Sequence, residues 1–224
     1  MDAHRQYWNQ QQQLFRQSLK SKNDHQATIR LFLNQHAMLH SAEMSHSGLW
    51  SFEDEVFEGL TEAQMRSRPA GDTNSIAWLI WHIARIEDVT MNLLVAAHPQ
   101  VLDEDDWIQQ LHLGRRDVGT SMSDSEVADF SNQVDCCALR AYRAAVGRRT
   151  RAIVSSLQPA ELWERIDSTN IHRLTKEGAL AEAAYELAQV WSGWKKAGML
   201  TMPATRHSFT HLNAAYGVRR KLVK

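Results

Sequence analysis

The sequence predicts an all-α protein, and more specifically a four-helix bundle with a long crossover between its second and third helices. Only four prolines and ten glycines occur in 224 residues. The long stretches between them carry helix-forming residues, with apolar side chains recurring at spacings of three and four. An acidic segment without clear periodicity connects the second predicted helix to the third. This connection is longer than two neighbouring helices require.

Composition excludes several classes of function. The formal net charge is -1 and the basic residues are scattered among acidic ones, so we expect no nucleic-acid groove. No apolar run approaches the roughly 20 residues of a membrane-spanning helix, and the first residues contain no apolar signal core. The two cysteines, Cys136 and Cys137, are neighbours, which argues against a disulfide framework. We therefore expect a cytosolic protein with no membrane partner.

The N-terminal part divides into an extension and the start of the bundle. Residues 1–26 are rich in glutamine and are expected to form at most a peripheral helix. Its possible anchors are Trp8, Leu14, Phe15 and Leu19. Residues 27–224 form the predicted domain. Its first helix is expected over about 27–44 and, after a break at Gly48, over 49–60. A short capped turn is expected over 61–65.

The second helix has a clear predicted start, because Asp72, Thr73 and Asn74 offer caps before a strongly apolar run. It should end near His98 and, being apolar nearly all round, lie at the centre of the bundle. The crossover is expected to contain one short helix, because Ser123 and Glu126 have the spacing of a capping box. The later elements are expected as helices over 133–157 and 179–190, a loop over 191–203, and a last helix from about 204 to the end.

Two histidine pairs have the spacing that allows one metal ion to be held from one helix. His207 and His211 are four residues apart on the last helix, and His36 and His40 share that spacing on the first. On pattern alone both pairs are candidates. A zinc protease would carry glutamate directly after the first histidine of the pair, and Ser208 at that position argues against this class.

His82 lies in the middle of the apolar second helix, where an unpaired imidazole nitrogen would cost about 1–3 kcal/mol. It is therefore either a core histidine with a hydrogen-bond partner or a ligand. Together with His207 and His211 it would supply three neutral nitrogen ligands from two helices. That number leaves coordination positions open, as in catalytic zinc sites.

The segments 74–88 (NSIAWLIWHIARIED) and 206–213 (RHSFTHLN) resemble the DinB-like (damage-inducible B) superfamily of metal-binding four-helix-bundle proteins. The resemblance extends from about residue 27 to the end. It implies a divalent metal held by one histidine of the second helix and the histidine pair of the last, which here are His82, His207 and His211. Some relatives use a low-molecular-weight thiol as cosubstrate, and many have no assigned activity. The resemblance therefore implies a metal site more firmly than any one reaction.

Three further residues are candidates for the surroundings of this site. Trp78 and Arg85 lie one turn on either side of His82 and could border the open positions. Arg85 is expected either to bind an anionic substrate group or to form an ion pair inside the bundle. His46 is expected either to enter the site as a proton carrier or extra ligand, or to lie at the surface. Glu87 and Asp88 point away from the His82 face and should cap or pair across helices.

We accordingly expect a metal-dependent enzyme of the hydrolase or thiol-transferase type, with one divalent ion, zinc or nickel, and a small-molecule substrate. The alternative is a non-catalytic ligand-binding or stress-response module that the metal stabilises. A homodimer remains open.

Overall fold

The computed structural model describes residues 2–21, 24–71 and 74–223. Over these ranges the chain forms helices and no β-strand, with one isolated antiparallel bridge between Arg165 and Lys195. The α-helices are α1 Ala3–Ser21, α2 His25–Ala37, α3 Ala42–Ser45, α4 Phe52–Phe57, α5 Glu62–Arg66, α6 Ile76–Asp88, α7 Trp107–Gln110, α8 Asp124–Gln133, α9 Cys136–Ser156, α10 Ser168–Lys176, α11 Glu186–Ser192, α12 Lys196–Thr201 and α13 Ser208–Leu222. Short π-helical segments, Val89–Ala96 and Met202–His207, continue α6 and precede α13.

The bundle is built around α6. Every residue of this helix is buried, and it packs against α9 on one side and α13 on another. Helix α2 packs against α9, while α7 and α8 lie in the crossover between α6 and α9. The predicted all-α class is confirmed. The second predicted helix and the last one are neighbours in the core.

The first turn of α6 is capped by a residue other than those predicted. The hydroxyl of Ser75 accepts the backbone N–H of Trp78 at 3.0 Å. Asn74 precedes this cap, whereas Asp72 and Thr73 lie outside the described residues. The cap therefore lies later in the chain than predicted, because Ser75 caps the helix and does not belong to its first turn. The predicted capping box in the crossover, between Ser123 and Glu126 at the start of α8, is confirmed.

Helix α1 was expected to be peripheral at most, but it packs firmly against the rest of the protein. Trp8 and Phe15 are fully buried and Leu19 nearly so, as predicted, but Leu14 is 46% exposed. The buried positions recur every three or four residues, and Leu14 lies off that face. Trp8 stacks on Phe209 of α13 with 4.0 Å between ring centroids. Helix α1 is therefore packed against the last helix of the bundle.

Two predicted boundaries are wrong. The first helix ends at Ala37, not near residue 44, because the chain turns at Met38, whose carbonyl accepts the N–H of Phe52. The segment 191–203, predicted as a loop, contains α12 and the start of a π-helical turn. The ring of Trp194 packs against Gly198 in this helix. Pro203 sits at the start of the turn, where its missing N–H is not needed.

Other expected elements are shorter than predicted. Residues 49–60 contribute only the six residues of α4, and the helix expected over 179–190 is divided into a 3₁₀ turn, Glu182–Ala184, and α11. No helix among the described residues is both long and apolar enough to cross a membrane.

Candidate metal centre

His82 is positioned by the strongly buried helix α6 and by a backbone acceptor from the crossover. The side chain is 6% exposed, and its Nδ1 lies 2.6 Å from the carbonyl oxygen of Val118. A carbonyl can only accept, so Nδ1 carries the hydrogen and Nε2 of the neutral ring carries the lone pair. An acceptor at the remote nitrogen is the arrangement that orients histidine ligands in metal sites.

His207 and His211 come to the same place from the last helix. His207 ends the π-helical turn, and His211 follows one turn later in α13. Nε2 of His82 and Nε2 of His207 are 3.2 Å apart. One candidate ligand atom from each of the three imidazoles lies within 4.8 Å of the other two. The structure thus brings together the three histidines that the sequence singled out.

All three imidazoles are held in their neutral form. Burial, together with the nearby His211, lowers the pKa of His82 to about 4, against the opposing effect of the hydrogen bond to Val118. Burial and the two other imidazoles lower the pKa of His207 well below its usual value, and burial lowers that of His211. Near neutral pH each ring therefore has a nitrogen lone pair to offer.

These residues fit a divalent transition-metal ion. A single proton between Nε2 of His82 and Nε2 of His207 would account for their 3.2 Å separation but not for the third imidazole beside them. Three neutral nitrogen donors are a ligand set that suits zinc, nickel, copper or iron. His82 is almost completely buried, whereas His207 and His211 keep part of their surface exposed, so the cluster reaches the protein surface on the side of the last helix.

Trp78 forms a wall beside His82. The two rings stack with 4.9 Å between centroids and an interplanar angle of 7°. The indole N–H of Trp78 points to the sulfur of Met122 at 3.1 Å. Gly119, with φ +78°, brings the crossover backbone against the same edge of the indole. The stacking restricts rotation of the His82 ring.

Arg85 forms the buried ion pair and not an anion-binding group at the cluster. Its guanidinium donates to Asp88 and Tyr142, each at 2.8 Å, to the side chain of Gln100, and to the carbonyl of Arg116. These bonds use every guanidinium N–H, so none is left for a substrate anion. Asp88 also accepts the backbone N–H groups after Gln100, which ties the crossover to α6.

His46 lies apart from the three histidines. It is exposed, adopts a left-handed conformation with φ 48°, and borders a surface groove of about 670 Å³ with Trp107, Cys137 and Arg140. Of the two positions expected for His46, the structure therefore shows the one at the surface.

The structure contains a second group of metal-ligating side chains, of which the sequence indicated only the two histidines. His36 and His40 are joined by Glu87 of α6, and all three are fully buried. The histidine spacing indicated the pair, but no sequence signal showed that Glu87 would reach it, because this depends on how α2 and α6 rotate against each other.

Comparison with known proteins agrees with this fold. The profile of the DinB superfamily matches residues 53–189, more than half of the chain, and the protein therefore belongs to the DinB superfamily. The matched segment contains His82 and ends before His207 and His211, so the position of these two rests on the structure. No curated protein matches the chain significantly.

Proposed function

We propose that the protein binds a divalent metal ion through His82, His207 and His211. The observation that carries this proposal is the convergence of three imidazoles in which the Nδ1 hydrogen of His82 is fixed by Val118, so that Nε2 is left as a donor. Zinc or nickel is the ion proposed, since both accept three imidazoles.

We further propose a metal-dependent enzyme acting on a small molecule, of the hydrolase or thiol-transferase type. Such an ion, when bound, supplies Lewis acidity that makes water or a low-molecular-weight thiol a stronger nucleophile near neutral pH. Three neutral ligands do not offset its positive charge. The chain itself contributes orientation, because Val118 and Trp78 fix His82. It also contributes access, because His207 and His211 are partly exposed.

A second candidate is a non-catalytic, metal-stabilised ligand-binding or stress-response module. It is favoured by the arrangement of Arg85, whose donors are all used inside the core, so that it is not free to hold an anionic substrate near His82. In this case the ion would serve to join α6 to α13.

The two candidates are separated by measuring melting temperature and turnover on the same samples. Wild type, His211→Ala and the surface control His46→Ala are compared with chelator, zinc or nickel, against a panel of ester, amide and thiol-transfer substrates. An enzyme shows turnover that requires both the metal and His211. Metal-dependent stabilisation without turnover on the whole panel supports the module, and no response to either metal contradicts both.

A further inference from the structure

A second cluster of metal-ligating side chains lies in the core, apart from the three proposed ligands. Nε2 of His36 is 2.7 Å from Oε1 of Glu87, and Nε2 of His40 is 3.0 Å from Oε2 of the same carboxylate. All three side chains are fully buried. The carboxylate of Glu87 thus faces one imidazole with each of its oxygens.

The carboxylate of Glu87 needs positive charge beside it. The buried guanidinium of Arg143 is bonded to Glu53 at 2.6 Å and to the carbonyl of Leu39. Within the described part of the chain, no Lys or Arg lies within 4.0 Å of Glu87. Glu87 therefore faces the two imidazoles in a region without water access. An uncompensated buried carboxylate is strongly unfavourable.

A proton on an imidazole or a bound cation would supply positive charge beside Glu87. An imidazolium would need an acceptor at Nδ1, and among the described residues neither His36 nor His40 has one. At His40 this side of the ring is closed by Gly147, where a Cβ would lie 2.7 Å from Nδ1.

A bound cation would use the same donor atoms. An imidazole that binds an ion through Nε2 also carries a hydrogen on Nδ1, but an unpaired neutral N–H is less unfavourable than an unpaired N–H of a cation. The two Nε2 atoms and the two oxygens of Glu87 provide four donor atoms. Two imidazoles and a carboxylate are a ligand set for zinc, iron(II) or manganese(II).

We propose that His36, His40 and Glu87 form a second divalent-metal site, which joins α2 and the turn that follows it to α6. Its ligands have no solvent-exposed surface, so the ion is structural: it enters during folding and exchanges slowly. The proposal does not depend on the three-histidine site, because the two sites share no residue.

The test is to count metal ions in protein whose first site has been removed. His211→Ala protein is unfolded with chelator, refolded with zinc, iron(II) or manganese(II), desalted, and analysed for metal. The proposal predicts one ion per chain for His211→Ala and none for His211→Ala with Glu87→Gln. His211→Ala with Glu53→Gln, which alters the other buried carboxylate, should retain the ion.

A direct measurement avoids dependence on variants that fold poorly. Anomalous diffraction from crystals of refolded wild-type protein should show a peak between His36, His40 and Glu87. A folded His211→Ala protein without metal, or wild-type crystals without that peak, would overturn the proposal. Metal in the second site but not the first would instead contradict the proposed function alone.

Discussion

His82 donates its Nδ1 hydrogen to the carbonyl oxygen of Val118 at 2.6 Å, and this bond joins the central helix to the crossover. The residue after Val118 is Gly119, whose φ of +78° is a conformation that residues with a side chain rarely adopt. The acceptor for His82 thus depends on a glycine 37 positions away in the chain.

Gly119→Ala should weaken metal binding. The positive φ costs about 1 kcal/mol with alanine, and relaxing it moves the Val118 carbonyl away from His82. Loss of such an outer hydrogen bond lowers metal affinity on the order of tenfold. The control is Gly59→Ala, which has a similar φ of +71° and open space around it. It should lose comparable stability while keeping its affinity in a competitive chelator titration. Equal affinities for both variants would show that Val118 does not position His82.

Trp8→Ala tests whether α1 supports the histidine-bearing segment. The indole stacks on Phe209, and the guanidinium of Arg206 lies 4.8 Å from its ring centre. Truncation should cost about 3–5 kcal/mol in urea unfolding and reduce metal affinity, with Trp8→Phe recovering much of both. Tyr7→Ala, at a 48% exposed neighbour, is the control. Unchanged metal affinity in folded Trp8→Ala would separate α1 from the site.

Arg85→Lys should destabilise the protein without loss of metal. Lysine cannot serve Asp88, Tyr142 and the other acceptors together, and a broken buried ion network costs on the order of 3 kcal/mol. Arg149→Lys, which alters a partly exposed pair with Glu104, should cost less than about 1 kcal/mol. Chemical denaturation and metal analysis measure both effects. Wild-type stability in Arg85→Lys would contradict a structural role for this arginine.

The metal-free protein should lose stability as the pH falls from about 7 to 4. The folded-state pKa of His82 is about 4 and its unfolded reference is 6.5, so in this window only the unfolded chain binds the proton. The free energy of unfolding therefore decreases on acidification, by about 3 kcal/mol from this residue. Urea unfolding of chelator-treated protein at several pH values measures it. His82→Gln should reduce the slope and His46→Gln should not; equal slopes would contradict the assignment.

The sequence predicted those features that depend on local chemistry. The apolar run after Asn74, which lacks a polar face, indicated a central helix, and the four-residue spacing of His207 and His211 indicated one helical face. The sequence did not predict the π-helical turn before His207. No local sequence signal marks the wider hydrogen-bonding pattern of a π-helix. Nor could the sequence show that Val118 accepts from His82 or that Glu87 meets His36 and His40. These contacts depend on how distant segments pack against each other, and the spacing of residues along the chain does not show this packing.

The most direct test of the proposed metal centre is the metal content of wild type and of His82→Ala, His207→Ala and His211→Ala, measured by elemental analysis after zinc loading and desalting. His46→Ala, which alters an exposed histidine, serves as the control. We predict that each of the three variants holds one ion per chain fewer than wild type, while His46→Ala matches it. Full wild-type content in any of the three, in protein shown to be folded, would contradict a site formed by these histidines.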